Sequence, residues 1–223
     1  MDEIIINENS MNESPRYSEA IVQRAPLMAK WLWVLFWANI AHIIINLIKI
    51  ESSRIYTAVQ TGLTLVCFLV ICFSLFMMRS EDERYGRAAL FQLIAIVFNS
   101  SINFIFGSID ASFLAILLSL ASSVLSLVAV YNEYHAHSCI VGGLDSDLGD
   151  RWQNLWVWKV IGIAGMFVAL FVAIIAVDVG AVLALVLAIY VLVIDIICLV
   201  TLYRSAQAYR AVVAYMAEEG QMP

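Results

Sequence analysis

Six apolar stretches fill most of the chain, at 27–50, 55–78, 88–106, 111–131, 155–177 and 179–203. Each is close to the roughly 20 residues a helix needs to cross about 30 Å of hydrocarbon. A backbone in lipid must satisfy its own N–H and C=O groups, which leaves helices and closed barrels. A barrel strand needs only roughly 9–11 residues, so stretches of this length point to helices. The expectation is an all-α, polytopic membrane helix bundle with six transmembrane helices. Composition agrees. The chain is 63% hydrophobic and 13% charged, against about half and a quarter in a soluble domain. So few charges cannot cover a water-facing surface, and the lipid bilayer is the expected partner.

The third stretch is the weakest, because Asn99, Ser100, Ser101 and Asn103 interrupt it. The turn between the third and fourth is expected at Gly107 to Asp110. The turn between the fifth and sixth is expected at Asp178 to Gly180, the only turn chemistry in a long apolar run. Residues 1–26 carry five acids and two arginines and are expected to form a disordered cytoplasmic tail. That tail has neither a signal-peptide pattern nor a lipidation motif. Residues 204–223 are expected to form a cytoplasmic or interfacial helix, or to continue the sixth span. Tyr209, Val212, Val213 and Met216 share one face there.

Orientation follows from Lys and Arg between the spans. With the N-terminus inside, Arg16, Arg24 and Lys30 lie on the inner side. So do Arg79, Arg84 and Arg87, then Arg151 and Lys159, then Arg204 and Arg210. Only Lys49 and Arg54 lie outside, so both termini are expected in the cytoplasm and the membrane is expected to be the plasma membrane. The net charge of −6, without a basic stripe, gives no sign of nucleic-acid binding.

Polar residues inside spans recur at helical spacing. Asn39, His42, Asn46 and Lys49 share a face of the first span; Thr57, Gln60, Thr64 and Cys67 do so on the second; Gln92, Asn99 and Asn103 on the third. Small residues such as Ser119, Ser122 and Ser126 on the fourth are explained by close helix packing. Asn, His and Gln carry more hydrogen-bonding groups than their own helix can satisfy, so they face other helices or a wet cavity. Asp195 is the only acid expected in a span interior, and an ionised carboxylate there costs about 2.5–3.5 kcal/mol. It is expected either to be protonated and bonded to Ser or Asn, or to be ionised beside His42. These residues define a candidate substrate or proton site: Asp195, His42, Asn39, Asn99, Ser122 and Gln92.

The segment 132–154 is expected to connect the fourth and fifth spans. His135, His137 and Cys139 are weak candidates for a zinc or copper site, since their spacing matches no known ligand pattern. Asp147 and Asp150 have the spacing of a helix cap, which favours a plain connector. No catalytic or cofactor-binding motif is present. An enzyme is therefore the least supported class, and no cofactor is expected. The leading expectation is a transporter or permease-like subunit with a polar layer around Asp195, His42 and Asn39. The alternative is a structural or accessory subunit that binds a partner, such as an ATPase or further copies of itself, with polar residues serving helix packing.

Overall fold

The computed structural model describes residues 17–47, 54–106 and 113–219, all helical apart from the ends and connectors. The six helices are α1 (Glu19–Leu47), α2 (Arg54–Met77), α3 (Glu83–Phe106), α4 (Phe113–Gly142), α5 (Ser146–Ile175) and α6 (Val177–Glu218). A single 3-10 turn, Met78–Ser80, leads from α2 towards α3. Each helix packs on its neighbours in the chain, and α1 closes on α6, so the six form a ring.

Five of the six are long and apolar enough to cross a membrane: α1, α2, α4, α5 and α6. Over its described residues α3 does not reach that measure, so the third of the six expected spans is not among them. Its apolar run is broken by the asparagines and serines after Val97, and it opens with the charged Glu83, Arg84 and Arg87. The expected turn at 107–110 and the outer residues Lys49 and Asp110 lie outside the described residues, as do the side chains of Thr57 and Asn103.

Several boundaries differ from expectation. The tail expected to be disordered through residue 26 is helical from Glu19. Pro26 sits inside α1, where losing a backbone hydrogen bond costs about 3 kcal/mol. What offsets this is a buried face, Ile21, Ala25, Met28 and Leu32, which joins the core shared with Tyr209, Val212 and Met216 of α6. Tyr17 adds an edge-on ring contact to Tyr215 at 5.7 Å. The acids of the tail mask this spacing in the sequence. Of the face expected at Tyr209, Val212, Val213 and Met216, Val213 is partly buried and the other three are buried, and the sixth helix runs unbroken for 42 residues.

The expected connector 132–154 is mostly helix. α4 continues to Gly142, and α5 begins at Ser146 after three residues. Its N-cap is Asp145, which accepts from Leu148 N at 3.1 Å, rather than Asp147 or Asp150. A carboxylate that takes an orphan amide of the first turn is the usual way to start such a helix. At this corner α4 and α5 cross backbone on backbone. A Cβ on Gly149 would meet Gly142 Cα at 2.6 Å. The α5–α6 turn is tighter still: Ala176 alone is extended, and α6 resumes at Val177, ahead of the expected Asp178–Gly180 turn.

Because neighbouring helices run antiparallel, the starts of α1, α3 and α5 meet the ends of α2, α4 and α6. The buried core lies at that end, through Leu32, Leu75, Tyr85, Tyr134, Trp152 and Tyr209 among others. The same end carries cations over rings: Lys30 on Trp31, Arg79 on Phe76 and Arg210 on Trp33. Trp and basic residues at one level suit a membrane–water boundary. Towards the other end packing thins. Between Ile163 and Val193 only Ala169 and Gly180 are buried.

Candidate functional site

Beyond the packed end, the ring encloses a cavity of about 380 Å³. Its floor is made by Ile71, Tyr134, Trp152 and Leu202, all part of the buried core. Every helix contributes to its wall. α1 supplies Asn39, His42 and Asn46, α3 supplies Gln92, α4 supplies Glu133, α5 supplies Lys159, and α6 supplies Asp195. Four residues expected at a common site, Asn39, His42, Gln92 and Asp195, therefore line one space.

The partner of Asp195 differs from expectation. Lys159 Nζ donates to Asp195 Oδ1, joining α5 to α6. Lys159 is expected near the inner interface, but its long stem turns inward. Its side chain is 22% exposed, that of Asp195 39%. His42 is thus not the only base within the helices. Its ring lies 4.5 Å from that of Phe68, and its Nε2 is 3.0 Å from Asn46 Nδ2 on the same helix.

Asn39 and Asn46 each donate to the carbonyl one turn back, Leu35 and His42, at 2.8 Å. Such a bond uses one N–H of the amide and leaves the side-chain oxygen as an acceptor. Gln92 Oε1 is buried and has no hydrogen-bond partner in the structure. Tyr134 donates to Cys198 Sγ at 3.3 Å, and Trp152 Nε1 donates to Ser205 Oγ at 3.1 Å, so both donors already have acceptors in the protein.

Asn99 and Ser122 do not reach this space. They line two adjoining cavities of about 390 and 530 Å³, which share Val130 with the first. Ser122 is buried and donates to Ala95 O at 3.1 Å, tying α4 to α3. Gln60 makes a similar link from α2 to Ile45 O of α1 at 3.0 Å. These are packing bonds between helices.

Glu133 and Lys159 are the site residues that sequence reasoning misses. Glu133 falls in the expected connector, yet it lies on the inner face of α4. The signal was available: Tyr134, His137 and Val141, all buried, recur at helical spacing past the expected end at 131.

The three weak metal candidates diverge along α4. His137 is fully buried, and its Nδ1 lies 2.8 Å from the Tyr85 hydroxyl. Burial pushes the Tyr85 phenol well above its ordinary range, so it stays protonated. His135 Nδ1 lies 3.2 Å from Tyr131 O, and Cys139 is exposed, with Arg84 donating to its Sγ at 3.1 Å. Among the described residues no three His, Cys, Asp or Glu side chains are grouped to hold a metal.

No protein-family model, curated protein or solved structure matches this chain.

Proposed function

We propose that this chain is a small transporter or permease-like membrane protein with six spans and both termini in the cytoplasm, and that the polar cavity is its solute or proton site. The observation that carries the reading is the convergence of Asn39, His42, Gln92, Glu133, Lys159 and Asp195, from five of the helices, on one space inside an apolar ring. Ionisable groups inside a membrane protein are costly and usually mark a solute or proton path. The cavity is closed by the core at the basic end and meets sparse packing at the other. That asymmetry fits a site held shut on the cytoplasmic side. α3, the least apolar helix, packs between α2 and α4.

The reading as a structural or accessory subunit draws support from Ser122, which is fully used in binding α4 to α3. Ser122 is therefore assigned to helix packing, Asn99 to the adjoining cavities that it lines, and Asp195, His42, Asn39 and Gln92 to the site.

Transport is tested in proteoliposomes loaded with a pH-sensitive dye and exposed to gradients of small solutes. Wild-type protein is expected to give a solute-dependent flux or pH change. Asp195→Asn keeps the shape and can still accept from Lys159, but removes the negative charge that the lysine is paired with. Its flux should fall at least about tenfold, the equivalent of 1.4 kcal/mol, while thermal unfolding stays close to wild type. Unchanged flux in that variant would make the residue structural.

Orientation has its own test. Single cysteines at Ser108 and Ser146, in a chain whose four native cysteines are replaced, are treated with an impermeant thiol reagent on intact cells. The cysteine at 108 should label and that at 146 should not. The reverse pattern would invert the topology.

A further inference from the structure

Within the solute-site reading, the cavity has a charge and hydrogen-bonding character of its own. Two carboxylates, Glu133 and Asp195, face one amine, Lys159. Lys159 is committed to Asp195. Among the described residues the only basic group within 4.0 Å of Glu133 is the His137 imidazole, with Nε2 at 3.8 Å from Oε1. Its other ring nitrogen, Nδ1, lies 2.8 Å from the Tyr85 hydroxyl, which holds the ring with Nε2 towards Glu133. At that distance the imidazole lies beyond hydrogen-bonding reach of the carboxylate. His137 Nε2 is itself buried and makes no hydrogen bond. Glu133, whose side chain is 15% exposed, is therefore the cavity carboxylate without a lysine or arginine partner among the described residues.

Beside the His42 imidazole, the remaining polar groups include several amide oxygens. Gln92 Oε1 has no partner, and the side-chain oxygens of Asn39 and Asn46 are left open when their amide nitrogens bond to α1. The hydroxyl of Tyr134 and the indole N–H of Trp152 are spent on Cys198 and Ser205. A carboxylate that no lysine or arginine pairs, with amide oxygens lining the same space, complements a ligand that brings N–H donors and a positive charge. The apolar walls of the cavity, Ile43, Ile71, Leu199 and Leu202, suit an alkyl body better than a bare ion, which needs a full shell of oxygens. The volume of about 380 Å³ is at the small end of ligand pockets, roughly 300–1,000 Å³.

We propose that the cavity binds a small organic ammonium ion, with Glu133 as the carboxylate that pairs with it and Gln92 as a second acceptor. Asp195 and Lys159 form the neutral wall opposite. Loss of a charged hydrogen-bond partner is worth about 1.5–3 kcal/mol, or roughly a tenfold to hundredfold change in affinity.

The test is calorimetric titration of the full chain in lipid nanodiscs with three ligands of one shape: n-butylammonium, 1-butanol and butyrate. n-Butylammonium should bind, and the other two should neither bind nor compete. Glu133→Gln should weaken n-butylammonium at least about tenfold, and Glu133→Asp, which keeps the charge, should bind more tightly than Glu133→Gln. Thermal unfolding of each variant, followed in the same discs, establishes that folded protein is titrated. Unchanged affinity in Glu133→Gln overturns the assignment of Glu133. Binding of butyrate in place of n-butylammonium overturns the ammonium class and leaves the solute site standing. If no ligand binds, the inference falls, while the proteoliposome flux of wild type against Asp195→Asn decides the transport reading separately.

Discussion

Replacing Lys159 with Met should destabilise the protein by about 2.5–4 kcal/mol, far more than replacing Asp195 with Asn. The lower figure is the cost of an unpaired carboxylate at depth in a membrane helix. The upper figure is set by the carboxylate's escape. Taking up a proton at pH 7, from an ordinary carboxyl value near 3.9, costs about 4 kcal/mol, so no larger penalty can persist. Asp195 is 39% exposed towards the cavity, and water there relieves part of the cost. Asp195→Asn leaves a different remnant. Lys159 lies in the first half of α5, toward the end where Arg151 and Arg204 sit, and its four-carbon stem can carry the ammonium outward. The asymmetry therefore follows from which partner is left behind. The double variant Lys159→Met, Asp195→Leu removes both charges and should recover most of the loss, since well-packed apolar residues replace buried ion pairs at little or no cost. Unfolding midpoints in a denaturant series in mild detergent give the comparison. If Lys159→Met and Asp195→Asn lose the same stability, the pair is not what holds α5 to α6 at this level.

The pair also shows where sequence and structure part. The stripe Asn39, His42 and Asn46 is legible because three polar residues at +3 and +4 in an apolar run admit few explanations, and they do face one cavity with Gln92 and Asp195. Lys159 looks like an interface cation, since a lysine four residues inside a span end usually turns outward. Only the α5–α6 packing brings Asp195 within its reach. Glu133 was hidden by a boundary. Polar residues after Tyr131 resemble a connector by composition, whereas Tyr134, His137, Ile140 and Val141 bury one side of a helix that runs to Gly142. The N-terminal end of α1 was hidden in the same way, by acids on the outer side of a face that is apolar at Ile21, Ala25 and Met28. In each case local composition was polar while the inward face alone was apolar, and a hydropathy average cannot separate the two.

The α5–α6 turn carries the other large effect. Gly180→Ala should destabilise the protein by about 1–3 kcal/mol or more, and Gly180→Val by more again. The turn contains no turn residue; Ala176 alone breaks the helix, with φ −141° and ψ 92°. One extended residue can reverse a chain between two long helices only if the helices touch almost at once. They do so at Gly180, where a Cβ would lie 2.4 Å from both Cα and Cβ of Ala173. One neighbour in that contact is backbone, so no rotamer change relieves it, and α5 and α6 must move apart. The same two helices hold Lys159 against Asp195, some 14 residues before Ala173 and 15 after Gly180, about 20 Å from the turn at 1.5 Å per residue. Splaying the turn tilts both helices about their packed ends, so the ion pair should loosen along with the hairpin. Gly62 provides the control. It lies in α2 with nothing within 4 Å of its Cβ position. Alanine there gains helix propensity and removes no contact, for a stabilisation of roughly 0.5–1 kcal/mol. Thermal unfolding of the two alanine variants, measured side by side, should give shifts of opposite sign. A Gly180→Ala protein as stable as wild type would mean that the two helices do not meet at this point.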